Sequence, residues 1–136
     1  MSLAIAYWCV LIAAVLPLVW TAIAKASGQR YDNRDPRGWL ARQDNPRSVR
    51  ANAAQHNAFE AFAPFAAGVV LAQLAGVDAD WIASLSVIFI VARVLHGVLY
   101  LNNKATSRSL VWMLGFACIV ALLVLAAVRV DAPAVS

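Results

Sequence analysis

The sequence predicts an all-α integral membrane protein, a bundle of four transmembrane helices forming a single domain over residues 1–136. Three observations predict it. Of the 136 residues, 62% are hydrophobic and only 13% charged, against about 45–50% and about 25% in a soluble domain; mean hydropathy is +0.71. The apolar residues gather into four runs, each near the ~20 residues that cross the hydrocarbon core at ~1.5 Å rise apiece. The basic residues, in turn, gather beside those runs, which is the pattern of a topology signal or an anionic-ligand pocket and not of a nucleic-acid surface, even at a net charge of +4.

The first span covers residues 3–26, without a charge before Lys25 and with an expected kink at Pro17. Ala24-Lys25-Ala26 has the look of a cleavage site, but no basic stretch precedes the run and it exceeds the usual ~7–15 residues, so it reads as a span and not a signal peptide. The second span, 49–75, is polar in its first half and carries Gly68, Ala72 and Gly76 four apart, a spacing that lets helices approach closely in lipid. The third, 81–101, holds Arg93 and His96; the fourth, 110–128, is almost pure hydrocarbon. Cys9 and Cys118 fall at different depths of different spans and are expected to be free thiols.

The connections set orientation. Arg30, Arg34, Arg37, Arg42 and Arg47 lie between spans one and two, flanked by Lys25 and Arg50; Lys104 and Arg108 lie between spans three and four. The connection between spans two and three has only Asp78 and Asp80, and the C-terminal tail Arg129 and Asp131. The positive-inside rule then puts the basic loops in the cytoplasm and both termini outside, as in a bacterial inner membrane with periplasmic termini. The first loop, 27–48, has no helical period and contains Gly28, Pro36, Gly38 and Pro46. Its arginines alternate with Asp32, Asp35 and Asp44, so it reads either as a headgroup-binding loop or as a lid over a cytoplasmic-side pocket. Trp39, Trp81 and Trp112 are expected to anchor near the interfaces, and Phe59, Phe62 and Phe65 to pack.

Polar residues inside a span face a bundle interior or a wet cavity. Arg50, Asn57 and Glu60 share one helical stripe of the second span, with Asn52 and His56 on a neighbouring one; Arg93, His96 and Tyr100 share a face of the third. Glu60 lies ~24 Å in from Gly76 and Arg93 ~20 Å in from Asp80, at 1.5 Å per residue. Equal depth predicts a Glu60–Arg93 contact, either a structural pair or part of a ligand site. His96 has no second ligand at metal spacing, so no metal site is expected. Tyr100 reads either as a belt aromatic or as a site residue.

The run Gln55-His56-Asn57-Ala58-Phe59-Glu60-Ala61-Phe62-Ala63-Pro64-Phe65 resembles the second-helix signature of the MAPEG family, the membrane-associated proteins in eicosanoid and glutathione metabolism. Ala92-Arg93-Val94-Leu95-His96-Gly97-Val98-Leu99-Tyr100 resembles the third helix of that family, and Arg108-Ser109-Leu110-Val111-Trp112 the start of its fourth. The resemblance implies a homotrimer that binds glutathione, as co-substrate, between subunits on the cytoplasmic side. Carried over, Gln55, Asn57, Glu60, Arg93 and Tyr100 line that pocket, and Arg108 stabilises the thiolate. The sequence departs from the best-studied members at Ala53 and Ala61, where they carry arginine and tyrosine, and at His96, where they carry tyrosine; Arg50 stands one turn before Ala53 as a substitute, and His96 is carried into the site in place of the tyrosine.

The resulting expectation is a transferase or peroxidase that joins glutathione to a lipophilic electrophile arriving from the bilayer. An arginine-lined pocket attracts the anionic tripeptide, and a guanidinium beside a thiol raises its thiolate fraction. One alternative is a non-catalytic protein of the same fold that binds another small anionic or lipid-like ligand. A small multidrug exporter, also four helices with a membrane-embedded Glu, fits less well because it expects few cations near that Glu.

Overall fold

The computed structural model describes residues 2–130, so Asp131 of the tail lies outside the described residues. Five helices follow in order: α1 (Leu3–Ser27), α2 (Pro36–Ala41), α3 (Pro46–Leu74), α4 (Ala79–Leu101) and α5 (Ala105–Val130). The four long ones are long and apolar enough to cross a membrane. At 23 to 29 residues they extend ~35–44 Å, past a ~30 Å hydrocarbon core. This explains why α3, α4 and α5 start earlier than their apolar runs: hydropathy marks the hydrocarbon, whereas hydrogen-bonded caps mark the helix.

Those caps are visible in the sequence once the chain is folded. Asn45 Oδ1 accepts the N–H groups of Arg47 and Ser48 at 3.0 and 3.2 Å, with Pro46 at the first helical position of α3. Asp78 caps α4 through Asp80 N at 2.8 Å. At the end of α3, Gly76 takes φ +73° while Gly76 N donates to Gln73 O and Val77 N to Ala72 O, each at 3.0 Å. That is a Schellman motif. Gly76 therefore terminates the helix and does not extend the small-residue stripe expected from its spacing. Asn103, at φ 56°, ends α4 in the same way, with Asn103 N donating to Tyr100 O and Lys104 N to Leu99 O.

The helices pack with small residues inward. Ala6, Ala13, Ala24, Ala54, Ala72 and Ala92 are buried, whereas Trp8, Leu18, Leu74, Leu110 and Met113 point outward. A water-soluble bundle has the reverse distribution. In lipid the outward chains cost nothing, and close backbone approach supplies the packing energy. α1 and α5 each pack on both α3 and α4. One core holds Phe65 stacked on Phe89 at 3.9 Å between ring centroids, surrounded by residues from all four long helices; the other holds Leu16, Trp20, Ala54 and Ala58. At Gly68 a side chain would press on Leu122, so this part of the stripe is the α3–α5 contact. Cys9 and Cys118 are free and buried, and the Tyr7 hydroxyl donates to Gln73 Oε1 across α1 and α3.

The loop before α3 is ordered. It contains a helix, α2, that the sequence pattern does not reveal, because six residues are too few for a period. Trp39 is not an interface anchor: it is 5% exposed and forms the loop's own core. Its Nε1 donates to Arg30 O at 3.0 Å, Tyr31 meets it edge-on, and Lys25 lies over the Tyr31 ring. The expected arginine–aspartate pairing is present on the surface: Arg34 with Asp32 at 3.0 Å and Arg42 with Asp35 at 3.3 Å. Hydrogen bonds from Arg34 hold the Asp32 carboxyl below the usual carboxylate range. Beneath the loop, the buried Ser48 hydroxyl donates to Ala24 O at 2.7 Å and ties α3 to α1. Ser48→Ala is expected to lower stability by ~1 kcal/mol, read as the shift of a thermal unfolding midpoint in detergent; an unchanged midpoint would show the bond to be dispensable.

Candidate functional site

At about 100° per residue, the first half of α3 presents two polar faces. Asn57 and Glu60 turn toward α4 and α5, with Ala61 and Pro64 beside them. Asn52, Gln55 and His56 turn the other way, toward Arg37 and Leu40 of α2. Of the candidates taken from the second span, Asn57 and Glu60 thus line one cavity and Gln55 another.

The first cavity, of about 170 Å³, lies between α3, α4 and α5. Asn57, Glu60 and Arg93 form its polar wall; Pro64, Phe89, Trp112 and Phe116 form its apolar wall. Trp112 and Phe116 are stacked with centroids 5.3 Å apart and ring planes 7° off parallel. Ala61 and Gly115 also line the space, and their small size keeps it open. Trp112 therefore serves this cavity in addition to any interfacial position.

Arg93 is only 4% exposed. Its Nη2 donates to Asn57 Oδ1 at 2.6 Å, and Asn57 Nδ2 donates to Glu60 Oε2 at 3.5 Å. The expected Glu60–Arg93 contact is therefore indirect; among the described residues no ion pair within 4.0 Å joins them. The amide of Asn57 has an acceptor for one neighbour and a donor for the other, so it takes the place between them. The matched depths of the two helices are borne out by this Asn57–Arg93 bond.

Further along α4, His96 is 3% exposed and meets Tyr100 edge-on, centroids 5.5 Å apart. The guanidinium of Arg108, on the first turn of α5, lies 4.2 Å from the centroid of the Tyr100 ring, a cation–π geometry. Arg50 is drawn elsewhere: its Nε donates to Leu101 O at 3.1 Å, at the C-terminal end of α4. It meets one of the carbonyls that a helix end leaves unpaired and does not line the first cavity.

The second cavity, of about 540 Å³, has Arg37, Leu40 and Ala41 of α2 on one side and Asn52, Gln55, His56 and Phe59 of α3 on the other. The ordered loop is thus a wall over the polar start of α3, as a lid would be. Among the described residues, three buried polar atoms lack a partner: Asn52 Oδ1, Gln55 Oε1 and Arg93 Nε. Unpaired groups of this kind are costly away from water. A guanidinium N–H seeks an anion, and two amide oxygens seek N–H donors.

The MAPEG family model matches residues 5–128. The chain belongs to the MAPEG family. The match runs from the start of α1 to the last turns of α5, so all four spans of this MAPEG protein, its ordered loop and both cavities fall inside it. No curated protein and no solved structure matches the chain. The residues that sequence reasoning missed here are Arg37, Pro64, Trp112, Gly115 and Phe116. The last three, with Ile119, repeat at i, i+3, i+4 and i+7, a one-faced stripe of α5 that was open to inspection.

Proposed function

We propose that this MAPEG protein is a glutathione-dependent transferase that acts as a homotrimer, joining glutathione to a lipophilic electrophile. The observation that carries the reading is Arg93: a buried guanidinium, held by Asn57 on one nitrogen and unpaired on Nε, in the wall of a mainly apolar cavity. Its free N–H suits a carboxylate of the tripeptide, and Glu60 suits the tripeptide's ammonium. Because Gln55, Asn52 and Arg37 face away from that cavity, they would serve the pocket of a neighbouring subunit. The basic loops face the cytoplasm in this reading and both termini the periplasm of a bacterial inner membrane, as charge bias favours.

The reaction asks little of the protein beyond placement. The thiol proton leaves to solvent, the thiolate sulfur forms a bond to the electrophilic carbon, and the leaving group departs with the bonding pair. The cation assigned to the thiolate is Arg108, and the aromatic wall of Trp112 and Phe116 receives the electrophile. One observation favours the second reading, ligand binding without catalysis: Arg108 lies over Tyr100 and does not line the cavity of Arg93.

Calorimetry with glutathione on the detergent-solubilised protein, followed by a conjugation assay with a generic aromatic electrophile, separates the two. Binding with turnover supports the transferase; binding without turnover supports the second reading; no binding at millimolar glutathione eliminates the first. Arg108→Ala is expected to retain binding and lose about a hundredfold in conjugation rate, the scale of one removed anion-stabilising donor. Equal rates in the variant would refute the role.

A further inference from the structure

At the end of the bundle away from the arginine-rich loop, another cavity, of about 450 Å³, opens between the α3–α4 turn and the last turn of α5. It is independent of the reaction proposed above. Asp78 and Trp81 stand on one side; Leu125, Val128 and Arg129 stand on the other. The spacing accounts for the grouping, since 78 and 81 are three apart and 125, 128 and 129 share one helical face. Gly76 stands at an open mouth, with nothing within 4 Å of where its Cβ would be.

Asp78 uses Oδ1 to cap α4, and among the described residues neither Asp78 nor Arg129 forms an ion pair. Opposite charges thus line one cavity without pairing to each other. Trp81 is 62% exposed beside them, an amphipathic ring of the type that sits at headgroup level. Leu125, one turn further into the bundle than Arg129, continues the wall in hydrocarbon.

The geometry points to a binding site for one zwitterionic phospholipid with a primary ammonium: phosphate on Arg129, ammonium on Asp78 and the Trp81 face, first chain methylenes on Leu125 and Val128. Ethanolamine fits better than choline because the spare carboxylate oxygen is an acceptor, and a quaternary ammonium has no N–H to give it; the indole face takes either cation. An anionic headgroup without an ammonium leaves Asp78 unanswered. A free phosphate lacks both the ammonium and the chains.

The test reconstitutes the full-length protein into nanodiscs of phosphatidylglycerol with equal minor fractions of phosphatidylethanolamine and phosphatidylcholine, and counts retained lipids by native mass spectrometry. Phosphatidylethanolamine is expected to be retained about fivefold over phosphatidylcholine, the scale of one charged contact at the membrane surface. Asp78→Asn, which preserves the cap, should bring that ratio to about one. Arg129→Gln should reduce retention of both lipids by about fivefold. Leu125→Trp fills the cavity, leaves both charges in place, and should abolish retention. Equal retention of the two lipids by the unmodified protein, preference for phosphatidylglycerol, or a ratio that survives Asp78→Asn would each overturn the site.

Discussion

Replacing Arg93 with methionine is expected to weaken glutathione binding by about a hundredfold and to leave the bundle folded. The two halves of this expectation have separate causes. Methionine keeps most of the volume and removes a buried charge that no ion pair compensates, and holding such a charge away from water is itself costly. The Asn57 carbonyl that Arg93 Nη2 now meets at 2.6 Å loses its partner, a local cost of ~1–3 kcal/mol. The ligand, by contrast, loses the one buried cation in the cavity wall. Arg93→Lys should not restore full affinity, because an ammonium cannot bond Asn57 and a carboxylate with the fixed fork of a guanidinium. Calorimetry measures the affinity and thermal unfolding in detergent the fold. Affinity within about threefold of the parent in Arg93→Met would remove this residue from the site.

The second large effect concerns stability. Gly97 of α4 faces the indole of Trp20 on α1, and a Cβ at position 97 would collide with three atoms of that ring. Trp20 is itself buried, in the core with Leu16, Ala54 and Ala58, so the rigid ring has nowhere to move. Gly97→Leu should destabilise the protein by about 3 kcal/mol, the upper range for overpacking. Trp20→Ala alone leaves a cavity and should cost a similar ~3–5 kcal/mol. The double substitution should be more stable than the sum of the two, since leucine then fills what tryptophan vacates. Simple additivity in denaturant unfolding would show that the two positions do not compete for the same space. His96 is the neighbour of Gly97, so the same contact fixes the stretch of α4 that presents His96 and Tyr100.

Much of the architecture was legible in one sequence because the membrane imposes few solutions. Four apolar runs gave four spans, and counting residues inward from Gly76 and Asp80 put the polar parts of α3 and α4 at one depth, where Asn57 now meets Arg93. The count could not choose between Asn57 and Glu60 as the partner, because depth says nothing about which side chain reaches across. Arg50 shares the stripe of Asn57 and Glu60, yet its long chain reaches the end of α4 at Leu101. Gln55 and Asn57 are two apart and so lie on nearly opposite sides of a helix, which the spacing alone could have told. Trp39 and Gly97 were illegible for another reason. Each is explained by a partner that no helical period relates to it, Arg30 O across the loop for the first and Trp20 on another helix for the second.

The inward placement of alanine and the outward placement of bulk have a consequence for how such a chain can change over generations. Where Leu18, Leu74, Leu110 and Met113 face outward, one greasy residue exchanges for another without altering a helix contact within the chain, so packing inside the bundle leaves these positions free to drift. Ala6, Ala54, Ala72 and Ala92 have no such freedom, because each lets two backbones approach to a distance that a larger side chain would forbid. In this protein the plainest buried side chains are among the least replaceable, and the bulky ones on the outer face are the most readily exchanged.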